Sequence, residues 1–172
     1  MIIGLPKETK DQERRVGITP AGVNTLIKSG NRVLVQKNAG VGSGISDDSY
    51  IQVGAELVKA PETLFSSSDL IVKVKEFQIH ECELLRPGLT TFSFLSLGIN
   101  PKLAQALMQS EVTAIAYETI ELKDGSLPIL KPMSALTGRL AIDVATHYLK
   151  SPQGGSGKLL SGISGAEPVR VV

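Results

Sequence analysis

Short β-branched runs alternate along this chain with stretches of helical periodicity, and that alternation restricts its possible folds more than any other feature. "MIIGL" leads through a loop into "TPAGVNTLIKSG". There Thr19 is placed to cap, Pro20 suits the first helical position, Gly30 can end the helix, and Val23, Leu26 and Ile27 form a stripe to bury. "RVLVQ" reads as a strand, followed by a glycine-rich loop, a helix-like "DDSYIQVG" and a second strand in "DLIVKVKE". "LTTFSFL" (strand), "PKLAQALMQS" (helix, with Leu103, Ala106 and Leu107 on one face) and "VTAIAYE" (strand) continue the pattern. Repeated strand, helix, strand units require right-handed crossovers. The expected fold is α/β: an open, mostly parallel sheet with helices on both faces. The 172 residues are enough for one proper core.

Composition excludes several function classes. Net charge is +1, with 18 basic and 17 acidic residues interspersed, so no basic face points to nucleic acid. One cysteine and two histidines are too few for a zinc cluster, and the lone Cys82 cannot form an internal disulfide, which suits a cytoplasmic setting. No apolar run reaches membrane-spanning length, and the start "MIIGLPKE" is too short and too soon charged for a signal peptide. Electrostatics names no partner, and neither nucleic acid nor membrane is expected.

In open α/β sheets ligands sit beyond the carboxyl ends of strands, which draws attention to Lys75, Ser96 and Glu118. In "DLIVKVKE", Leu70, Val72 and Val74 alternate with Ile71, Lys73 and Lys75, leaving two lysines near the strand end. By spacing alone Lys75 is either a solvated strand end or a carboxylate partner. Ser96 in "FSFLSLG" reads as a turn residue, with Gly98 allowing the chain to turn. "KPMSALTGRLAIDVATHYLK" is the longest helical signal, with Ser134 as its expected cap and Leu136, Leu140 and Val144 along one side. Its amino terminus either receives an anion or simply begins a long helix. "NAGVGSGIS" lacks the lysine of a phosphate loop. His80 and His147 are isolated, and neither has a nearby acid–nucleophile set. "SPQGGSGK", from Ser151 to Lys158, is the one linker-like stretch.

Taken in order, "MIIGLPKETKDQERRVGITPAGV", "AGVGSGISD", "DLIVKVKE", "AYETI..DGSLPIL.PMS..GRLA" and "QGG.G.LL.G..G..P..V" resemble the bacterial L-alanine dehydrogenases, of the alanine dehydrogenase and nicotinamide nucleotide transhydrogenase family. The resemblance runs from Met1 to Val172. It implies a flavodoxin-like substrate (catalytic) domain over residues 1–133. Residues 134–172 would then supply a connecting helix, a linker and the first strand of an NAD-binding Rossmann domain, opening at Val169 to Val172 and cut before its glycines. The implied chemistry is NAD-dependent oxidative deamination of L-alanine to pyruvate and ammonia.

Carried over by motif, Arg15 in "ERRVGITP" and Lys75 would bind substrate, Met133 and Ser134 would lie against the nicotinamide end of NAD, and Glu118 would support the site. The implied assembly is a homo-oligomer, hexameric in full-length relatives. One position departs from the family motif. Where it has a catalytic histidine, this chain has Ser96, whose hydroxyl does not titrate near neutral pH. Two other readings accompany this one: a relative of the transhydrogenase NAD-binding subunit, and a catalytically silent stand-alone module binding pyruvate or a partner chain. Without the glycine turn, this chain alone is expected not to hold NAD. It is also expected to expose apolar surface, because the family's first domain is completed by residues from far downstream.

Overall fold

Six short strands account for the first half of the pattern: β1 (Ile2–Leu5), β2 (Arg32–Gln36), β3 (Glu56–Val58), β4 (Leu70–Val72), β5 (Thr90–Ser93) and β6 (Thr113–Ala116). Between them lie α1 (Pro20–Lys28), α2 (Asp47–Gln52), α3 (Pro61–Ser67), α4 (Ile79–Cys82) and α5 (Pro101–Gln109), and α6 (Leu130–Leu149) follows. The computed structural model describes residues 1–165 and Arg170, so the strand expected at Val169 to Val172 lies outside the described residues. The chain divides into two compact units, Met1–Ile120 and Glu121–Val172. This division falls ahead of the boundary suggested between Met133 and Ser134, and the whole sheet belongs to the first unit.

All strand pairs are parallel, in the order β3-β2-β1-β4-β5-β6. The six-strand order is that of a Rossmann-type doubly wound sheet, and it contains the five-strand flavodoxin-like order in β2-β1-β4-β5-β6, with β3 added at the edge. The chain steps outward from β1 to β3, then returns to β4 and steps outward the other way, so the order reverses between β1 and β4. With right-handed crossovers this reversal also switches the helices, placing α1 and α2 on one face and α3, α4 and α5 on the other. Residue alternation agrees. In β2, Leu34 joins Leu64 and Phe65 of α3, Cys82 of α4, and Leu103 and Leu107 of α5 in one core, while its neighbours Val33 and Val35 point the opposite way. Within the first unit no helix covers the α1 and α2 face over the second half of the sheet. Leu70, Thr90, Phe92 and Ile115 line a groove of about 480 Å³ there, and Ile115 is 38% exposed.

Helix ends follow the sequence with two corrections. Thr19 occupies the cap position of α1 and Pro20 its first turn, but the Thr19 side chain makes no capping hydrogen bond. Ser134 is not a cap, because α6 begins four residues earlier, at Leu130. Pro132 falls in its first turn, where amide N–H groups have no partner within the helix and a proline costs little. Leu136, Leu140 and Val144 are each about half exposed. The linker-like stretch folds back on this helix, with the Gly157 N–H donating to the Leu149 carbonyl at 2.8 Å and the Gly155 N–H to that of Lys150 at 3.1 Å.

The largest departure from the sequence reading is Lys73. It does not end a strand in solvent: it is 0% exposed. Its Nζ donates to both carboxylate oxygens of Glu81 at 2.6 Å, stands 3.8 Å from Glu8 Oε2 and lies 5.0 Å from the centre of the Phe77 ring. Glu81 is itself held by the Gln78 N–H at 2.7 Å, in a capping box that starts α4. Removing one partner of a buried ion pair costs about 3–5 kcal/mol. Glu81→Ala should therefore lower unfolding stability by that order in urea, whereas a surface change such as Gln105→Ala, on the exposed side of α5, should stay within about 0.5 kcal/mol.

Candidate functional site

The reversal between β1 and β4 opens a crevice at the carboxyl ends of those strands, the place where open α/β sheets bind ligands. The segments leaving them carry Glu8 from β1, and Lys73 and Lys75 from β4. Glu8 is buried and bonded to the β4 exit: Val74 N–H donates to its Oε1 at 2.7 Å and Lys75 N–H reaches Oε2 at 3.4 Å. Burial pushes the Glu8 carboxyl above its ordinary pKa, against the opposing pull of Lys73 and these two N–H groups.

Arg15 lies on the long β1–α1 loop, which is held from several sides. Gly42 packs so closely on it that a Cβ there would stand 2.6 Å from the Arg14 carbonyl oxygen, and the Ser43 hydroxyl donates to that same oxygen at 3.0 Å. The hydroxyl of the fully buried Tyr50 donates to the Ile18 carbonyl at 2.8 Å, and a Cβ on Gly17 would stand 2.7 Å from the Val72 carbonyl. "NAGVGSGIS" is therefore a backbone buttress for the arginine loop. The bare face of Gly42 is turned to Arg14, so it is not available to a phosphate.

Glu13 is the partner of Arg15 and feels the Lys75 charge at longer range. It accepts from Arg15 three times, from the backbone N–H at 2.9 Å, Nε at 2.8 Å and Nη2 at 2.7 Å. These bonds, with the charges of Arg15 and Lys75, hold the Glu13 carboxyl at about 2, although burial opposes them. Glu76 is likewise kept below the ordinary range: burial pushes it up, but its hydrogen bond from Lys10 and the charge of Lys75 prevail. Lys75 thus stands within electrostatic reach of Glu13 and Glu76, half-buried rather than fully solvated. Glu8, Glu13, Arg14, Arg15 and Lys7 share one cleft of about 440 Å³ with the glycine loop.

On the β5 and β6 side, Ser96 is exposed and takes a left-handed backbone, with φ of 50°. The turn therefore falls on Ser96 itself, and Gly98 has no positive φ. Glu118 holds it there, accepting from the Ser96 N–H at 2.7 Å and the Leu95 N–H at 3.1 Å. Tyr117 packs edge-on against Phe92 and Phe94, and burial together with the Glu8 charge raises its phenol well above the usual range.

Met133 and Ser134 lie within α6 in the second unit, where the Met133 carbonyl accepts from the Thr137 hydroxyl at 2.9 Å. His80 and His147 are exposed. Among the described residues no group of His, Cys, Asp and Glu is arranged to hold a metal ion, and no helix is long and apolar enough to cross a membrane. Sequence reasoning misses Glu8, Glu13 and Glu81 and gives Lys73 no structural role. The capping-box spacing from Gln78 to Glu81 is a usable sign of α4, but nothing local pairs Glu81 with Lys73.

Residues 4–137 match the family described as alanine dehydrogenase/PNT, N-terminal domain. The chain is 45% identical over its whole length to the alanine dehydrogenase of Methanococcus maripaludis, covering 46% of that protein. It is 44% identical over 99% of its length to that of Bacillus subtilis, covering 45% of it. The chain thus spans about half the length of the curated relatives it matches. A solved L-alanine dehydrogenase superposes on 98% of the chain with a TM-score of 0.86 at 42% identity, and the match covers 46% of that structure. A transhydrogenase from Sinorhizobium meliloti superposes on 69% with a TM-score of 0.65 at 27% identity, the match covering 35% of that chain.

The buttress can be tested directly. In Gly42→Ala the new methyl meets backbone rather than a flexible side chain, so the arginine loop must shift. The expected loss is about 1–3 kcal/mol in denaturant unfolding. Gly98→Ala, with open space around the added atom and no positive φ, should change stability by less than about 0.5 kcal/mol.

Proposed function

This chain belongs to the alanine dehydrogenase/PNT family, whose N-terminal domain it carries, and on that premise we propose that it is the substrate-binding part of an NAD-dependent L-alanine dehydrogenase. The observation that carries the reading is the Arg15 guanidinium, forked on Glu13 in a cleft that Glu8 also lines at the reversal point of the sheet, with the Lys75 charge within electrostatic reach of Glu13. Glu13 already occupies an edge of the Arg15 guanidinium in fork geometry, the mode in which that group takes a ligand carboxylate. A 2-oxo acid would set its carboxylate against Arg15 and its carbonyl oxygen towards Lys75, whose charge polarises the carbonyl carbon. The greater likeness to alanine dehydrogenase than to transhydrogenase favours this reaction over nucleotide-to-nucleotide transfer. The stand-alone module has no comparable support. Pyruvate and L-alanine as ligands, a cytoplasmic setting, a homo-oligomeric assembly and a division of labour near residue 133 belong to the same proposal.

Neither the glycine-rich loop nor the β1–α1 loop offers a seat for the dinucleotide's pyrophosphate. The one glycine-rich loop near the crevice is closed by Arg14, and no glycine turn joins β1 to α1. NAD would supply hydride acceptance, with Met133 and Ser134 assigned to its nicotinamide end. The residues of this chain bind and orient the substrate, and the proton exchange needed at the substrate's reacting heteroatom is where Ser96 matters. A serine hydroxyl can orient a carbonyl oxygen but is a poor acid and base near neutral pH.

Arg15→Ala and Lys75→Ala should each weaken pyruvate binding, measured calorimetrically, by tenfold or more for a lost charge-assisted contact, about 1.5–3 kcal/mol. Unchanged affinity in both variants would remove the site. In a chain that also carries a nucleotide-binding domain, Ser96→His should raise kcat for reductive amination about 10²–10⁴-fold with little change in pyruvate affinity. Histidine is among the residues that tolerate the left-handed backbone found at Ser96, so the turn should survive. Equal kcat values would mean that the proton travels by another group.

A further inference from the structure

A long arginine side chain keeps its rotamer freedom even where its backbone is fixed. Arg15 therefore needs a hold of its own besides the Gly42 and Ser43 buttress, which meets the loop at Arg14. Glu13 supplies one. Its Oε1 accepts both the Arg15 backbone N–H at 2.9 Å and Nε at 2.8 Å, and its Oε2 accepts Nη2 at 2.7 Å. The carboxylate is thus tied to the backbone as well as to the guanidinium, which it grips by the Nε edge. Glu13 is also the inner member of the pair: its side chain is 8% exposed and that of Arg15 45%. Further contacts fix Glu13 in turn. Its own N–H donates to the Lys10 carbonyl at 3.1 Å, and the Lys10 ammonium pairs with Glu76, the residue after Lys75.

We propose that Glu13 is the positioning residue of Arg15: it fixes one edge of the guanidinium through its hydrogen bonds and presents the exposed part of that group to the carboxylate of a 2-oxo acid. This rests on the assignment of Arg15 as a ligand-binding residue. The opposite role, a carboxylate that the ligand must displace, is disfavoured by the geometry. Once expelled from the guanidinium, Glu13 would keep only the Arg15 backbone N–H and would stand as a largely desolvated charge beside an incoming anion. With its carboxyl held at about 2, it does not escape by taking up a proton near neutral pH. Glu13 therefore stays, and the ligand meets an arginine that is already ordered. The entropic cost of immobilising that side chain falls on folding rather than on binding. The Lys10 and Glu76 pair ties the turn that carries Glu13 to the segment that carries Lys75, so the same contacts set Arg15 in a fixed relation to the β4 exit.

The test is a double-mutant cycle, read by calorimetric titration of pyruvate into the 172-residue chain. Glu13→Ala should weaken binding about 2- to 10-fold, the range for having to order one rotamer-rich side chain on binding. Glu13→Gln removes the same charge but keeps an oxygen for the Arg15 backbone N–H and Nε, so its affinity should fall between those of the wild type and Glu13→Ala. In chains that also carry Arg15→Ala, neither change at position 13 should weaken binding further. Wild-type or tighter binding by Glu13→Ala, equal affinities in the Ala and Gln variants, or the same loss with Arg15→Ala present would each overturn the proposal while leaving the Arg15 site standing. Unchanged binding in Arg15→Ala would remove Arg15 from the site and the proposal with it, and no pyruvate binding by the wild type would remove the site altogether. Should Glu13→Ala fail to fold, Glu13→Gln decides in the same cycle: its loss of affinity must appear with Arg15 present and vanish with Arg15→Ala, and any other result rejects the proposal.

Discussion

An ammonium group removed entirely from water is tolerable only if the protein replaces its hydration, and Lys73 is such a group at the centre of this fold. Both oxygens of Glu81 meet it, the Glu8 carboxylate stands behind them and the Phe77 ring faces it. These partners come from α4, the β1 exit and the segment between β4 and α4. One buried charge therefore fastens together the two strand ends at which the sheet reverses. Glu8 continues the fastening by gripping the Val74 and Lys75 amides, so the Lys75 side chain leaves a backbone with little freedom.

The same arrangement recurs around the crevice, where backbone groups and supporting carboxylates hold the residues that would meet a ligand. Arg15 is placed by the fit of Gly42 on Arg14, by the Tyr50 hydroxyl on Ile18 and by Glu13. Ser96 is placed by Glu118 through two backbone amides. A grip on backbone amides fixes a position without dictating which side chain occupies it. The serine at position 96 can therefore differ in chemistry from the histidine of the family motif while the backbone grip remains in place.

Local pattern makes much of this legible. Strands β1, β2, β5 and β6 and helices α1, α2 and α5 lie where the alternation and its Pro, Gly, Ser and Asn punctuation place them, because each buries a face with its own period. Strand β3 and helix α4, of three and four residues, are too short to show a period and leave no mark in the alternation. Lys75 and Glu118 can be picked out because open parallel sheets place ligands at strand ends. Arg15 cannot be found that way, since it sits on a loop with no period, and only the family motif draws attention to it.

The sequence by itself determined the fold class, the direction of the crossovers and the family, since all three depend on periods and motifs carried in neighbouring residues. Tertiary structure alone decided which lysine of "DLIVKVKE" is buried in an ion pair and which stays partly exposed. The two lie on the same side of the alternation and have the same intrinsic chemistry. Glu81 pairs with Lys73 because α4 packs over that face of the sheet, and Glu8 reaches the β4 amides because β1 and β4 are neighbours at the reversal point. Both contacts join residues brought together by packing, and the energetics of a buried charge depend on those partners rather than on its neighbours in sequence.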